Sequence, residues 1–81
     1  MEPSTTDILD LAEAVRLART GEARDIRTRC GLHASAIGAA CGVSASAITR
    51  WENGERRPTG IPAIAWVRLL RELAKADRRS R

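Results

Sequence analysis

Glycine punctuation sets the limits on what this chain can build. Gly21, Gly31, Gly42, the Asn53-Gly54 pair and Gly60 cut the sequence into short stretches. A glycine just past a periodic stretch is a helix stop, because a residue without a Cβ enters the left-handed region at little cost. Between the stops, apolar residues recur three and four positions apart. The chain has no Phe and no Tyr, and its only aromatic residues are Trp51 and Trp66. Strand-favouring content is therefore low, and the expectation is an all-α chain of short helices. At 81 residues there is room for one domain. A chain of this size buries only roughly 60% of its unfolded surface, so a lone monomer is marginal and association would help it.

The first segment offers Ser4, Thr5 and Thr6 as caps, with Asp7 at the positive end of the helix dipole. Ile8, Leu11, Ala12, Val15 and Ala18 follow at helical spacing, predicting a helix over 5–20 that Gly21 ends. The second runs from Glu22 to about Cys30, acids first and bases last, with Ala23, Ile26 and Cys30 inward. The third, Ala34 to Cys41, is built of such small residues that another helix must lie close against it. The fourth is capped by Ser44 and runs through Glu52 to the Asn53-Gly54 stop. A basic loop, Glu55-Arg56-Arg57-Pro58, follows. The last segment starts near Thr59 and Gly60, tolerates Pro62 in its first turn, and carries the stripe Ile61, Ile64, Val67, Leu70 and Leu73, widened by Trp66 and Leu69. It is expected to end near Ala76. The predicted organisation is an N-terminal helix over 1–21 packed on or beside the domain, the domain itself over 22–76, and a basic disordered tail over 77–81.

The net charge of +4 is unevenly spread. Residues 1–20 carry four acids against two bases, and the remainder twelve bases against six acids. A basic body with an acidic leader suits a polyanionic partner. Cys30 and Cys41 have no second Cys or His pair at zinc spacing, and read as buried reduced thiols of a cytosolic chain. The acidic N-terminus lacks the long apolar run of a signal peptide. No stretch of about 20 apolar residues exists, so no membrane partner is expected. No cofactor and no metal site is expected either.

Two short helices joined by a tight turn form the one constellation with a clear mechanical use. Ile37 and Cys41 share a face of the first, Val43 fills the turn, and Ile48 and Trp51 lie on the inner face of the second. Gly38 falls where the two helices cross, and a side chain larger than Ala there would push them apart. Gly42 sits at the turn, where a positive φ is required.

These residues also carry a resemblance. Gly31-Leu32, Ile37-Gly38, Gly42-Val43-Ser44 and the run Ile48-Thr49-Arg50-Trp51-Glu52-Asn53-Gly54-Glu55-Arg56-Arg57-Pro58 make residues 22–73 resemble the xenobiotic-response-element family of helix-turn-helix regulators. Trp66 ahead of Leu69-Leu70 is similar to short actinobacterial and phage-borne members. The resemblance implies a compact five-helix, lambda-repressor-like bundle containing a helix-turn-helix, with an extra N-terminal helix. It also implies a double-stranded DNA partner and a recognition helix over 45–52 in the major groove.

By that resemblance Ala45, Ser46, Thr49 and Arg50 face base edges. Arg50 is the strongest reader, since its fork matches guanine O6 and N7. Ala45 offers only apolar contact, and Ser46 and Thr49 read bases permissively. Phosphate contacts are expected from Ser44, Asn53, Arg56 and Arg57. His33 and Ala34 stand where the family has Ser or Thr followed by Gln; His33 is a poor cap that can touch phosphate. Glu52 is expected in a structural salt bridge with Arg27, because an acid turned to DNA would repel it. Trp51 is core, in register with Ile48.

An enzyme is not expected: there is one His, no Gly-rich phosphate loop and no nucleophile beside a base. The favoured function is a transcriptional repressor of phage or mobile-element type, cytoplasmic and nucleoid-associated. It would act as a homodimer through the C-terminal helix and possibly the N-terminal one. A protein-interaction module on the same fold (antitoxin or adaptor), supported by the acidic leader, and an architectural or excision factor are the alternatives.

Overall fold

The computed structural model of the chain describes residues 4–79, and over them the chain forms five helices. These are α1 (Thr5–Thr20), α2 (Glu22–Arg29), α3 (Ala34–Cys41), α4 (Ala45–Glu52) and α5 (Gly60–Arg79). Ser4, rather than Thr5 or Thr6, caps α1. Its hydroxyl accepts from the Asp7 N–H at 3.1 Å while the Asp7 carboxylate accepts from the Ser4 N–H at 3.4 Å, so two first-turn donors are satisfied reciprocally. Gly21 alone separates α1 from α2 and stands in the left-handed region.

The core is one cluster. Trp66, Ile37, Ile48, Leu70 and Val67 are its largest fully buried apolar side chains, and α1, α2 and α3 all pack against α5. Trp51 and Trp66 meet with ring centroids 5.0 Å apart and planes tilted by 53°, within the favourable range for an aromatic pair. Trp66 is wholly buried and its Nε1–H has no hydrogen-bond partner.

Several expectations change. The inward face of α1 is Asp10, Ala14, Leu17 and Ala18, whereas Ile8 is exposed and Leu11 and Val15 are only partly buried. Charge decides this. Arg68 reaches Asp7 at 3.3 Å and Asp10 at 3.0 Å, and Arg71 reaches Asp10 and Glu13, each at 2.7 Å. The pairs follow the same order along both helices, so α1 and α5 lie side by side in parallel. Asp7, Asp10 and Glu13 of the acidic leader are therefore engaged within the chain, while Glu2 lies outside the described residues. The Arg71 hydrogen bond, and behind it that of Arg68, overcome burial and hold the Asp10 carboxyl below its ordinary range.

The stripe of α5 is likewise covered within one chain: Ala63, Trp66, Val67 and Leu70 are buried against the other helices, while Ile61, expected in that stripe, is 82% exposed. Ile61 sits in the first turn of α5, with its side chain turned to solvent. The helix also continues past Ala76. Asp77, Arg78 and Arg79 are helical rather than a frayed tail, and Asp77 lies 3.7 Å from Arg29 on α2; Ser80 and Arg81 fall outside the described residues. Cys41 is buried and Cys30 half-buried, both as free thiols, and burial pushes the Cys41 thiol up. Among the described residues, no helix is long and apolar enough to cross a membrane.

Candidate nucleic-acid interface

Three local features build the α3–α4 pair. Gly42 ends α3 with a φ of 79°, and the Val43 N–H returns to the Gly38 carbonyl at 2.9 Å. Ser44 then caps α4, its hydroxyl accepting from the Ala47 N–H at 3.1 Å. Third, the turn backbone crosses directly over Gly38. A Cβ there would stand 2.6 Å from the Val43 carbonyl oxygen. Even Ala is thus excluded, and what excludes it is the turn itself rather than the facing helix.

The result is a two-faced α4. Ile48 and Trp51 are buried, while Ser46, Thr49 and Arg50 are exposed on the opposite side with Asn53 just beyond. Positions 46, 49, 50 and 53 are spaced to share one helical face. Ala45 is half-buried at the edge of that face. Beyond α4 the chain folds back: the Glu55 and Arg56 N–H groups donate to the Arg50 carbonyl at 2.9 and 3.2 Å. This holds Arg56 and Arg57, both exposed, beside the end of α4, with Pro58 buried beneath them.

Arg27 and Glu52 form a bidentate pair, Nε to Oε2 at 2.6 Å and Nη2 to Oε1 at 2.9 Å, while Arg27 Nη1 donates to the Leu32 carbonyl at 2.9 Å. Their side chains are only 15% and 3% exposed. The Glu52 hydrogen bond raises the Arg27 pKa further above its ordinary value. One carboxylate thereby ties α2 to the end of α4 and turns no charge outward. His33 occupies the N-cap of α3, exposed and making no side-chain cap bond. Its carbonyl accepts from Ala36 and Ile37, and no side chain caps the first N–H groups of α3, groups that an α-helix leaves without an intrahelical partner.

Charge pairing sorts the arginines. Asp7, Asp10, Glu13, Glu22, Glu52, Glu72 and Asp77 are engaged with Arg16, Arg27, Arg29, Arg68, Arg71 and Lys75. Among the described residues, Arg50, Arg56 and Arg57 have no acidic partner. Arg19, which no sequence motif singled out, is also unpaired among the described residues, as are Arg24, Arg78 and Arg79 at other places on the surface. Arg19 lines a groove of about 470 Å³ with Asn53, Arg56 and Arg57. The helix-turn-helix thus presents permissive hydroxyls, one central guanidinium and a cationic margin on one side.

Comparison with known proteins agrees with this geometry. A family model described as helix-turn-helix, HTH_3, matches residues 24–76, from within α2 to the last turns of α5. Neither a curated protein nor a solved structure matches the chain.

Proposed function

Because the chain belongs to the helix-turn-helix family HTH_3, the xenobiotic-response-element type with a lambda-repressor-like fold, we propose that it is a sequence-specific transcriptional repressor of phage or mobile-element type. Membership itself makes it a DNA-binding regulator whose partner is double-stranded DNA. In the proposed complex α4 lies in the major groove. Arg50 donates its fork to guanine O6 and N7, Ser46 and Thr49 touch neighbouring base edges, and Ala45 meets a thymine methyl. Ser44 keeps its hydroxyl hydrogen free for a phosphate while its oxygen caps α4. Asn53, Arg56 and Arg57 hold the backbone beyond α4, and His33 with the start of α3 holds it on the other side.

The observation that carries this reading is the sorting of charge. Seven carboxylates are bound up in ion pairs, while Arg50, Arg56 and Arg57 stand unpaired on and beside the exposed face of α4. Exposed guanidinium groups repel one another, and a line of phosphates offsets that repulsion. Direct reading per chain is sparse, so specificity is completed by a second half-site on a twofold homodimer. Among the described residues, Ile8, Leu9 and Ile61 are the large apolar side chains left exposed for that contact.

Selection of bound sequences from a random duplex pool tests the proposal. The expected result is an enriched inverted repeat of two short half-sites, bound with a steep salt dependence. No retention of duplex DNA at low salt would overturn the DNA reading, and a single half-site with no repeat would overturn the dimer.

A further inference from the structure

The family match begins at Arg24, so α1 lies outside it, yet α1 shares a groove with the end of α4. Arg19 of α1 lines that groove together with Arg56 and Arg57. None of the three has an acidic partner among the described residues. The carboxylate that also borders the groove, Glu52, is already held by Nε and Nη2 of Arg27. Beneath the arginines the floor is apolar, made of Val15, Trp51 and Pro58.

We propose that this groove is a DNA-backbone site, and that Arg19 makes α1 part of the DNA interface. The inference rests on the DNA reading above. Its chemistry matches a sugar-phosphate unit: three cations meet the phosphodiester charge, and the apolar floor receives the deoxyribose. Its position argues for duplex DNA over a free nucleotide, because Arg56, Arg57 and the bordering Asn53 continue directly from the exposed face of α4. A backbone seated there lies one step beyond the base pairs that α4 reads. Arg19 then adds affinity without sequence information.

The test is fluorescence anisotropy of the full chain with a mixed-sequence duplex over a range of salt concentrations. Removing one phosphate contact lowers the slope of log K against log[salt] by about 0.9. Arg19→Ala is expected to show that loss and to weaken all duplexes alike, and Arg19→Lys to restore most of the slope because a point charge suffices. Arg78→Ala, the same charge change on a different groove, is expected to leave the slope at the parent value. Melting curves of each variant confirm that it is folded, as expected for an exposed residue such as Arg19. An Arg19→Ala slope equal to that of the parent overturns the proposal. So does a change in the intrinsic tryptophan fluorescence on adding a nucleoside monophosphate in the parent but not in Arg19→Ala, if the duplex slope does not move. The DNA reading fails separately, by absence of duplex binding in the parent chain.

Discussion

A methyl group at Gly38 would have nowhere to go. The Val43 and Ser44 carbonyl oxygens would lie 2.6 and 3.1 Å from it, and both belong to a turn pinned by Gly42 and by the Ser44 cap. Gly38→Ala should therefore cost about 1–3 kcal/mol through forced backbone shifts, read as a lower urea midpoint; an unchanged midpoint would show that the turn yields freely. Glu52 is the second residue on which geometry bears hard. Glu52→Ala leaves Arg27 buried and unpaired, with an expected loss of about 3–5 kcal/mol, whereas Arg27→Ala with Glu52→Ala together should cost less than the two losses added. A double-mutant cycle checks this, and strict additivity would contradict the pair. Arg57→Ala belongs to another class. It should leave stability within about 0.5 kcal/mol and weaken binding to every duplex sequence alike.

At the level of helices, how legible the sequence is depends on whether the deciding interaction is local. The bounds of α3 and α4 follow from Gly31, Gly42, Ser44 and Asn53-Gly54, all within a residue or two of the ends they fix, and the structure places them there. The face of α1 is different. Ile8, Leu11 and Val15 mark an apolar stripe that looks like the buried side, yet Asp10 is the residue turned fully inward. Its partners, Arg68 and Arg71, lie 58 or more positions away in the chain, and no helical periodicity announces them. The end of α5 was hidden for the same reason, since Asp77 continues the helix beside Arg29 of α2. Among the expected site residues, those on α4 were readable as an exposed face opposite Ile48 and Trp51. Arg19 was not, because only packing brings α1 to that groove.

The α1–α5 network carries a pH prediction. Asp10 has a depressed pKa in the folded state, chiefly through its Arg71 hydrogen bond. The unfolded chain therefore takes up the proton first, near an ordinary value of about 3.9. The stabilisation is fully present above that value and is lost as pH falls through the lower folded pKa. Thermal stability should be flat with respect to this group from neutrality to about pH 5 and decline below. In Asp10→Asn that acid limb should be shallower. An equally steep decline in the variant would assign it to other carboxylates.

On the scale of the whole molecule, α1 is both structural lid and charge sink. It covers the part of α5 that the remaining helices leave open, and it neutralises arginines that would otherwise add to the cationic face. A chain beginning at Glu22 should lose its cooperative thermal transition, because Leu70 and Val67 would lose their cover and Arg68 and Arg71 their acids. A sharp transition close to that of the full chain would show that the helix-turn-helix folds without α1. The lid also explains why the net positive charge is not smeared over the surface. Pairing along α1 and α5 removes Arg68 and Arg71 from the free cations, and Arg50, Arg56 and Arg57 stand unmatched on and beside the end of α4, where the family's DNA partner is read. That α4 reads base pairs, with Arg50 as its principal reader, is most directly tested by running the random-duplex selection on the parent and on Arg50→Ala side by side. The predicted result is that one position, a guanine in the parent half-site, becomes degenerate in the variant while the others persist, with a loss of about 1–3 kcal/mol on the parent site. An unchanged motif, or a loss equal on all sequences, would contradict it.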